Sequence, residues 1–277
     1  MSESSATGIR PLSREQIDAY HQKGFLLLPP AFLPPASLAT VLDAVPEILA
    51  QEGEHRILER DETTVRSVYG PHRSHPSVDS FSRLPALLGA VTQLLGDRVY
   101  IHQSKVNVKA AFAGDRWEWH QDYVNWLDLD GIRSPNLVNV AVFLDEVTEF
   151  NGPLTFIPRS HHNGLLAGTD STTMPVGYEG DARWVATLTA TEKFQIDRAE
   201  LRRLAGENGM VAPKGPAGSI LLFHSNVLHA SMPNLSPFPR KLLIIAYNTV
   251  SNPPTNTANP RPEFLASHET SPLEPAR

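Results

Sequence analysis

The sequence contains no cysteine among its 277 residues. This absence excludes disulfide bonds, thiolate metal sites and cysteine nucleophiles together. Any metal ion bound by side chains must therefore use histidine, aspartate or glutamate, and the chain has 11 histidines and 30 acidic residues. The metal chemistry open to this chain is thus limited to nitrogen and oxygen ligands.

Long basic runs and long apolar runs are also missing. The formal net charge of -6 and the pI near 6.0 argue against a nucleic-acid-binding surface. No apolar stretch has the length of a membrane span, and the apolar stretch at residues 241–247 has the length of a strand. The polar residues 1–8 contain no apolar signal-peptide core. We therefore expect a cytoplasmic protein that binds neither nucleic acid nor membrane.

The first third of the chain predicts helices and short strands. Ser13 and Gln16 form a capping-box pattern before a short amphipathic helix. Further helices are predicted after Pro34 and around residues 84–95, where apolar side chains recur at helical spacing. From residue 98 the pattern changes to short strands separated by turns. This order predicts a mainly β protein with flanking α-helices, either a sandwich or a barrel.

One long predicted strand, residues 99–109, carries alternating polar side chains. Gln103, Lys105, Asn107 and Lys109 share one face. Such a face is usually exposed to solvent, but it is also typical of a barrel interior that binds a polar ligand. The sequence leaves both alternatives open.

The length of the chain fits one large domain or two small ones. We expect a single domain over residues 1–277, with residues 1–11 disordered and residues 251–277 forming an extended tail. Residues 163–215 combine glycine, proline and charge with a weak helical pattern, which predicts an insertion or lid outside the core.

A His-x-Asp motif, His120 and Asp122, lies within residues 117–126. In an extended chain these two side chains point to the same face and can meet one ion. The alternative is a polar pair on a surface strand. His229, which follows a predicted strand, would complete the two-histidine, one-carboxylate facial triad of non-haem Fe(II) oxygenases. Arg240, eleven residues later, is a suitable bidentate partner for the far carboxylate of a keto acid that chelates the iron.

The ordered set of motifs resembles the phytanoyl-CoA dioxygenase superfamily over roughly residues 13–270. The set comprises His120-Gln-Asp122, Asn151-Gly-Pro-Leu154, Ile157-Pro-x-Ser-His161 and Gly218-Ser219 through His229 to Arg240. The resemblance implies an Fe(II)- and 2-oxoglutarate-dependent oxygenase on a double-stranded β-helix, a jelly roll of the cupin type. Five shorter stretches are similar to bacterial free-amino-acid hydroxylases: residues 65–68, 100–109, 119–123, 130–131 and 261–265. The resemblance is nearest to the proline 4-hydroxylases, and the ectoine hydroxylases are more distant relatives.

Carried over by position, the resemblance implies roles for individual residues. His120, Asp122 and His229 resemble the iron ligands, and the step to Arg240 favours His229 over the competing His224. Arg240 resembles the anchor of 2-oxoglutarate, and Gln103, Asn107 and Lys105 are assigned to the same cosubstrate. Tyr123 and Trp126 match pocket walls, whereas Trp117 and Trp119 are expected to serve packing. Arg66 is a candidate for the substrate carboxylate or an ordinary strand ion pair, and Asp128 and Asp130 are candidates for the ammonium.

The expected function is hydroxylation of a free amino acid, L-proline at the trans-4 position or a ring homologue such as pipecolate. Fe(II), 2-oxoglutarate and O₂ would be required, and ascorbate would help in vitro. The expected partner is a small molecule, and the expected state is a monomer or small homo-oligomer. Alternatives are the hydroxylation of another small zwitterion, as in the ectoine hydroxylases, and a metal-binding sensor without turnover. A zinc hydrolase has no His-Glu-x-x-His motif to support it.

Overall fold

The computed structural model describes residues 11–166, 182, 184–188, 194 and 196–276. Within them the helices are α1 Arg14–Lys23, α2 Pro35–Ala50, α3 Pro71–Ser74, α4 Pro76–Ser82, α5 Pro85–Leu95, α6 Asp122–Asp130 and α7 Arg198–Asn208. The predicted capping box is present, because Ser13 accepts from the Gln16 backbone and Gln16 accepts from the Ser13 backbone. None of these helices combines the length and the apolar character needed to cross a membrane.

Two antiparallel sheets form the centre of the described chain. The large sheet has the order β1-β8-β6-β10-β4-β3-β2 and the small sheet the order β5-β9-β7. The strands are β1 Phe25–Leu28, β2 Arg56–Leu58, β3 Val65–Tyr69, β4 Val99–Lys109, β5 Trp117–His120, β6 Leu137–Phe143, β7 Leu154–Phe156, β8 Ile220–His224, β9 His229–Ser231 and β10 Arg240–Thr249.

The period of two along the central strands separates two apolar clusters. In β10, Leu243, Ile245 and Tyr247 pack against helices α2, α4 and α5, together with alternate residues of β6 and β8. Leu242 and Ile244 point the other way and pack with Phe156 of the small sheet. The helices therefore cover the outer face of the large sheet, and the space between the two sheets contains the candidate site.

The polar face of β4 points between the two sheets. Gln103, Lys105 and Asn107 all line the internal cavity found there. The barrel-interior alternative is therefore the correct one for this strand. A β-bulge lies between the pairs Ala246–Gln103 and Tyr247–Ile101, so His102 has no partner in the ladder. A bulge re-aims a side chain, and His102 points to Asp130, at 3.0 Å from its carboxylate.

Parts of the predicted lid and tail belong to the packed structure. Residues 1–10 lie outside the described residues, so the expected N-terminal disorder falls almost wholly there, and residues 167–181 of the expected insertion lie outside them as well. Phe194, Ile196 and Leu204, however, are buried together with Val124 and Leu228. In the tail, Leu265 is fully buried. These segments cover the core although their sequences are not typical of core elements. That residues 1–277 form one domain stays a prediction.

Candidate metal centre

His120, Asp122 and His229 meet at the mouth of the space between the sheets. Their ligand atoms all lie within 4.8 Å of one another. His120 ends β5 and pairs with His229 at the start of β9. Each histidine Nε2 lies 3.6 Å from one carboxylate oxygen of Asp122. This is the only such group of histidine and acidic side chains among the residues described.

The extended geometry assumed for the His-x-Asp motif holds for His120 and Gln121 but not for Asp122. Gln121 has extended backbone angles, φ -118° and ψ 126°, so His120 and Asp122 do converge. Asp122, however, is the first residue of α6 and not part of a strand. The helix start turns the chain away from the metal centre and leaves the Asp122 carboxylate facing both histidines.

The second ring nitrogen of each histidine is fixed by a carbonyl. His120 Nδ1 donates to the Glu118 carbonyl at 2.6 Å, and His229 Nδ1 donates to the Val227 carbonyl at 3.0 Å. This leaves both Nε2 atoms unprotonated and able to bind a cation, as in most metal-ligating histidines. Asn139 on β6 donates to Asp122 Oδ2 at 3.0 Å and orients the carboxylate.

The ionisation of the three groups also suits a divalent cation. Burial raises the pKa of Asp122, but the nearby charge of His229 and the hydrogen bond with His120 outweigh burial and hold this pKa below its usual range. Burial and the neighbouring His120 lower the pKa of His229 to about 4. A carboxylate and neutral imidazoles are the forms that bind metal. Two imidazoles, one carboxylate and no thiolate fit Fe(II) with three positions left for other ligands.

Replacing Asn139 with alanine is expected to weaken Fe(II) binding by about 10–100-fold, the range typical when a residue that orients a ligand is lost. Titration of the anaerobic apoprotein with Fe(II) would measure this change. Asn136→Ala, a matched control whose amide donates to the Leu95 carbonyl, should bind Fe(II) as the wild type does. Equal affinities for Asn139→Ala and the wild type would show that Asn139 does not orient Asp122.

The cavity at the triad has two lobes that share His120, Asp122, Lys105 and Gln103. The inner lobe runs between the sheets and is additionally lined by Asn107, Asn139, Leu154, Phe223, His229, Ile244 and Ala246. The outer lobe is additionally lined by Tyr69, Asn125, Thr187, Leu188 and Arg261. Trp117 and Trp126 line both lobes. Two small molecules could therefore approach the same metal ion from different sides.

Arg240 lies buried close to the inner lobe, although it is not one of its lining residues. Its Nη1 donates to Asn107 at 2.8 Å, and its Nε and Nη2 donate to the Gly152 carbonyl at 3.2 and 2.7 Å. A guanidinium has five N–H groups, so two have no partner among the described residues. Burial lowers the pKa of Arg240 to about 9, which leaves it charged at neutral pH. It can therefore pair with an anion that enters the inner lobe.

The Asn151-Gly152-Pro153 turn acquires a specific role from this contact. Gly152 has φ 71°, and a Cβ at this position would lie 2.7 Å from the Met232 carbonyl. Only glycine fits here without strain. The turn presents the Gly152 carbonyl to Arg240, a role that the sequence pattern alone does not reveal.

Two residues predicted to touch substrate lie elsewhere. Arg66 donates to Glu59 at 2.9 Å and to the Arg116 carbonyl at 3.0 Å, and it is not among the residues lining either lobe. Its guanidinium stacks on Trp117, 3.8 Å from the ring centroid. The structure thus favours the alternative of an ion pair. Tyr123 donates its hydroxyl to the Ile132 carbonyl and packs behind the cavity.

Asp128 and Asp130, proposed for the substrate ammonium, do not line the cavity either. Asp130 is buried and accepts two hydrogen bonds from Arg261, at 2.7 and 2.6 Å, in addition to its contact with His102. It therefore fixes the position of Arg261. Trp126 does line the cavity as predicted, and so does Trp117, for which the sequence predicted only packing.

Several residues that line the site were not predicted from the sequence, among them Asn139, Asn125 and Arg261. Asn139 had a signal, because it is the one polar residue in the otherwise apolar strand 137–143. Arg261 lies in one of the stretches that carry the family resemblance, but nothing local indicates its contact with Asp130. His224 lies away from the triad, with its ring 5.1 Å from that of His161.

Comparison with known proteins shows the family of this chain. A profile of the family described as Phytanoyl-CoA dioxygenase (PhyH) matches residues 20–242. L-proline trans-4-hydroxylase from Streptomyces griseoviridis is 37% identical over 256 residues, 92% of this chain and 93% of the relative. An ectoine dioxygenase from Bordetella bronchiseptica is 33% identical over 264 residues, 93% of this chain and 83% of the relative.

Solved structures of EctD are similar to this chain in fold. The apoform of EctD from S. alaskensis superposes with a TM-score of 0.80 and 30% identity, covering 98% of this chain and 90% of that chain. EctD with 2-oxoglutarate and 5-hydroxyectoine has a TM-score of 0.78 and 29% identity, covering 99% of this chain and 90% of that chain. A further structure of EctD contains bound Fe. The predicted fold, a mainly β double-stranded β-helix with flanking helices, is confirmed.

Proposed function

The chain belongs to the phytanoyl-CoA dioxygenase family, and from this premise we propose that it hydroxylates a free amino acid, L-proline at the trans-4 position or a ring homologue such as pipecolate. The observation that carries this proposal is a two-lobed cavity at the triad, with one arginine close to the inner lobe and a second lining the outer lobe. Two arginines, one near each lobe of the cavity, suit two different carboxylates.

The chain is an Fe(II)- and 2-oxoglutarate-dependent dioxygenase. Bound iron, with 2-oxoglutarate and O₂, supplies an oxidant that hydroxylates an unactivated C–H bond and leaves succinate and CO₂. His120, Asp122 and His229 would hold the iron. The other residues bind and orient the two organic molecules and exclude water from the space between the sheets.

The inner lobe suits 2-oxoglutarate. Arg240 offers two unpartnered N–H groups to the distal carboxylate, and Asn107, which accepts from Arg240, lines the lobe. Leu154 and Ile244 form apolar walls for the methylene groups. Lys105 and Gln103 lie where the two lobes meet. We propose that they contact the cosubstrate near the metal, as the family resemblance implies.

The outer lobe suits a free amino acid. A zwitterion needs a partner for each of its charges, because an unpaired buried charge is costly. Arg261 uses Nε and Nη2 to bind Asp130, which leaves Nη1 for the substrate carboxylate. The Asn125 side-chain oxygen is buried without a partner among the described residues and can accept from the ammonium. Trp126 provides an aromatic wall for an apolar ring. Arg261 thus replaces Arg66 as the proposed carboxylate partner.

Replacing Arg261 with alanine is expected to raise the KM for the amino acid by roughly 30-fold or more, since truncating one member of a buried charge pair costs about 2–5 kcal/mol. The KM for 2-oxoglutarate should change little. Succinate formation measured at varied concentrations of each substrate would show the difference. Arg66→Ala serves as the matched control. If Arg66→Ala raises the amino-acid KM more than Arg261→Ala does, Arg66 and not Arg261 binds the substrate carboxylate.

Ectoine is the second candidate substrate, because EctD superposes on this chain with a TM-score of 0.80 and 5-hydroxyectoine is bound in one EctD structure. Proline is favoured because the proline hydroxylase has the higher identity, 37% against 33%, and this chain spans 93% of its length against 83%.

A panel of L-proline, L-pipecolate, linear amino acids and ectoine, incubated with Fe(II), 2-oxoglutarate and ascorbate, tests the choice. Product mass and NMR would identify the hydroxylated carbon. The proposal would be contradicted if ectoine were the preferred substrate, or if none of the cyclic amino acids were hydroxylated.

A further inference from the structure

The β-bulge in β4 brings two consecutive side chains, His102 and Gln103, to the side of the large sheet that contains the site. Ile101 before the bulge and Val106 after it both pack against the helices. In a regular strand an odd-numbered and an even-numbered residue point to opposite faces, so the bulge reverses the alternation between these two positions. Without the bulge, His102 would share the helix-covered face with Val106. The bulge therefore directs the His102 ring toward the site.

The hydrogen on the His102 ring is placed by its surroundings. Nε2 lies 3.0 Å from Asp130 Oδ2, and neither side chain is more than 2% exposed. His102 Nδ1 is buried without a hydrogen-bond partner among the described residues. A hydrogen on Nδ1 would be an unpaired buried donor, and the Nε2 lone pair would then face a carboxylate, which is costly. The ring therefore carries its hydrogen on Nε2 and donates it to Asp130.

Asp130 connects His102 to Arg261. The carboxylate accepts from Arg261 Nε at 2.7 Å on Oδ1 and from Arg261 Nη2 at 2.6 Å on Oδ2, the oxygen that also accepts from His102. Burial raises the pKa of Asp130, but the charge of Arg261 and the hydrogen bond from His102 outweigh burial and hold this pKa below its usual range. A bidentate pair fixes the plane of a guanidinium relative to the carboxylate. The orientation of Arg261 at the outer lobe therefore depends on three buried groups in series.

The His102 ring also contacts an aromatic wall of the cavity. The rings of His102 and Trp126 meet edge to face, with 5.5 Å between their centroids and 78° between their planes. This arrangement is a favourable one for two aromatic rings, and Trp126 lines both lobes. His102 itself is not one of the residues that line either lobe. It therefore supports two groups of the site from behind, Trp126 directly and Arg261 through Asp130.

We propose that His102 is a positioning residue for the amino-acid substrate. Its hydrogen bond to Asp130 orients Arg261 for the substrate carboxylate, and its ring holds Trp126 against the substrate ring. This inference rests on the proposed function, because it requires Arg261 to bind the substrate carboxylate. A side chain that only filled space would need neither a hydrogen on Nε2 nor the bulge that brings the ring to this side of the sheet.

Steady-state kinetics of two His102 variants test the proposal. His102→Phe keeps a ring beside Trp126 and loses the hydrogen bond to Asp130, so the amino-acid KM should rise roughly 10-fold or more. The KM for 2-oxoglutarate and the affinity for Fe(II) should not change. His102→Gln keeps an N–H donor near the position of Nε2 and should recover most of the lost affinity. His72→Phe is the matched control, because His72 Nδ1 contacts the Ser104 hydroxyl at 2.5 Å on the helix-covered face of β4, and it should leave both KM values unchanged.

His102→Leu loses both the hydrogen bond and the ring, so it should raise the amino-acid KM further than His102→Phe does. It also takes the place of His102→Phe if that variant does not fold, as judged by circular dichroism. Equal rises in the KM values of both substrates in a folded variant would overturn the proposal, because they would indicate a general loosening of the site. An amino-acid KM that stays unchanged in the folded variants would overturn it as well.

A double-mutant cycle separates positioning through Arg261 from a local packing effect. In the Arg261→Ala background, His102→Phe should raise the amino-acid KM by less than about 3-fold, because the group that His102 orients is already missing. The same 10-fold rise in both backgrounds would contradict the role assigned to His102 and leave the role of Arg261 intact. An unchanged amino-acid KM in Arg261→Ala alone would instead contradict the proposed function of the outer lobe, so the two failures are distinguishable.

Discussion

Replacing Asp122 with alanine is expected to lower succinate formation by more than about 100-fold, beyond the loss expected for a residue that only orients a ligand. Asp122 is the one carboxylate of the triad, and each histidine lies 3.6 Å from it. Without it, two imidazoles remain for a cation whose positive charge is no longer balanced. His229→Ala should have the same effect, because it also removes a ligand. Fe(II) titration and succinate formation would measure both losses.

The matched control is His224→Ala. His224 is the last residue of β8 and is half-buried, and its Nδ1 accepts from the Asn226 backbone N–H at 3.0 Å, away from the triad. This variant should keep Fe(II) and activity. If it loses iron while His229→Ala retains it, the two histidines have been assigned the wrong way round. Full activity of Asp122→Ala with metal bound would refute the triad as the iron site.

Arg240→Ala is expected to raise the KM for 2-oxoglutarate by roughly 30-fold or more while changing the amino-acid KM little, since a buried carboxylate left without its partner costs about 2–5 kcal/mol. Steady-state succinate formation with each substrate varied in turn would measure both constants. The two arginines should then show opposite patterns, with Arg240→Ala affecting the cosubstrate and Arg261→Ala the amino acid.

Arg240→Lys provides a conservative variant that keeps the charge and loses the planar fork. It should recover part of the affinity for 2-oxoglutarate. Circular dichroism is needed as well, because Arg240 also donates to the Gly152 carbonyl and its loss could loosen the 151–153 turn. If folded Arg240→Ala raises both KM values equally, Arg240 has only a structural role.

Local patterns predicted most of the elements that position the site. Alternation along residues 99–109 identified the strand and its polar face, and the capping box identified the start of α1. The choice between a solvent-facing and an interior polar face depended on what lies opposite the strand. That information is tertiary, and it came from the small sheet packed across the cavity.

The contacts that fix substrate residues are long-range, which is why the sequence did not predict them. Asp130 and Arg261 are separated by 131 residues, yet they form the buried pair beside the outer lobe. Arg66 sits next to the cavity wall but is paired with Glu59, seven residues away. The local sequence around a charged residue does not show which of these situations the residue occupies. The start of α6 at Asp122 was missed because Asp122 belongs to both the metal motif and the helix.

The most direct test of the account compares free L-proline with a peptide that contains an internal prolyl residue. Succinate formation and the gain of one oxygen atom in the product mass would be followed for both, at equal concentration, with Fe(II) and 2-oxoglutarate. We expect turnover of free L-proline and none of the peptide, because an internal prolyl residue has neither the carboxylate for Arg261 nor the ammonium for Asn125. Hydroxylation of the peptide at the rate of the free amino acid would contradict the account.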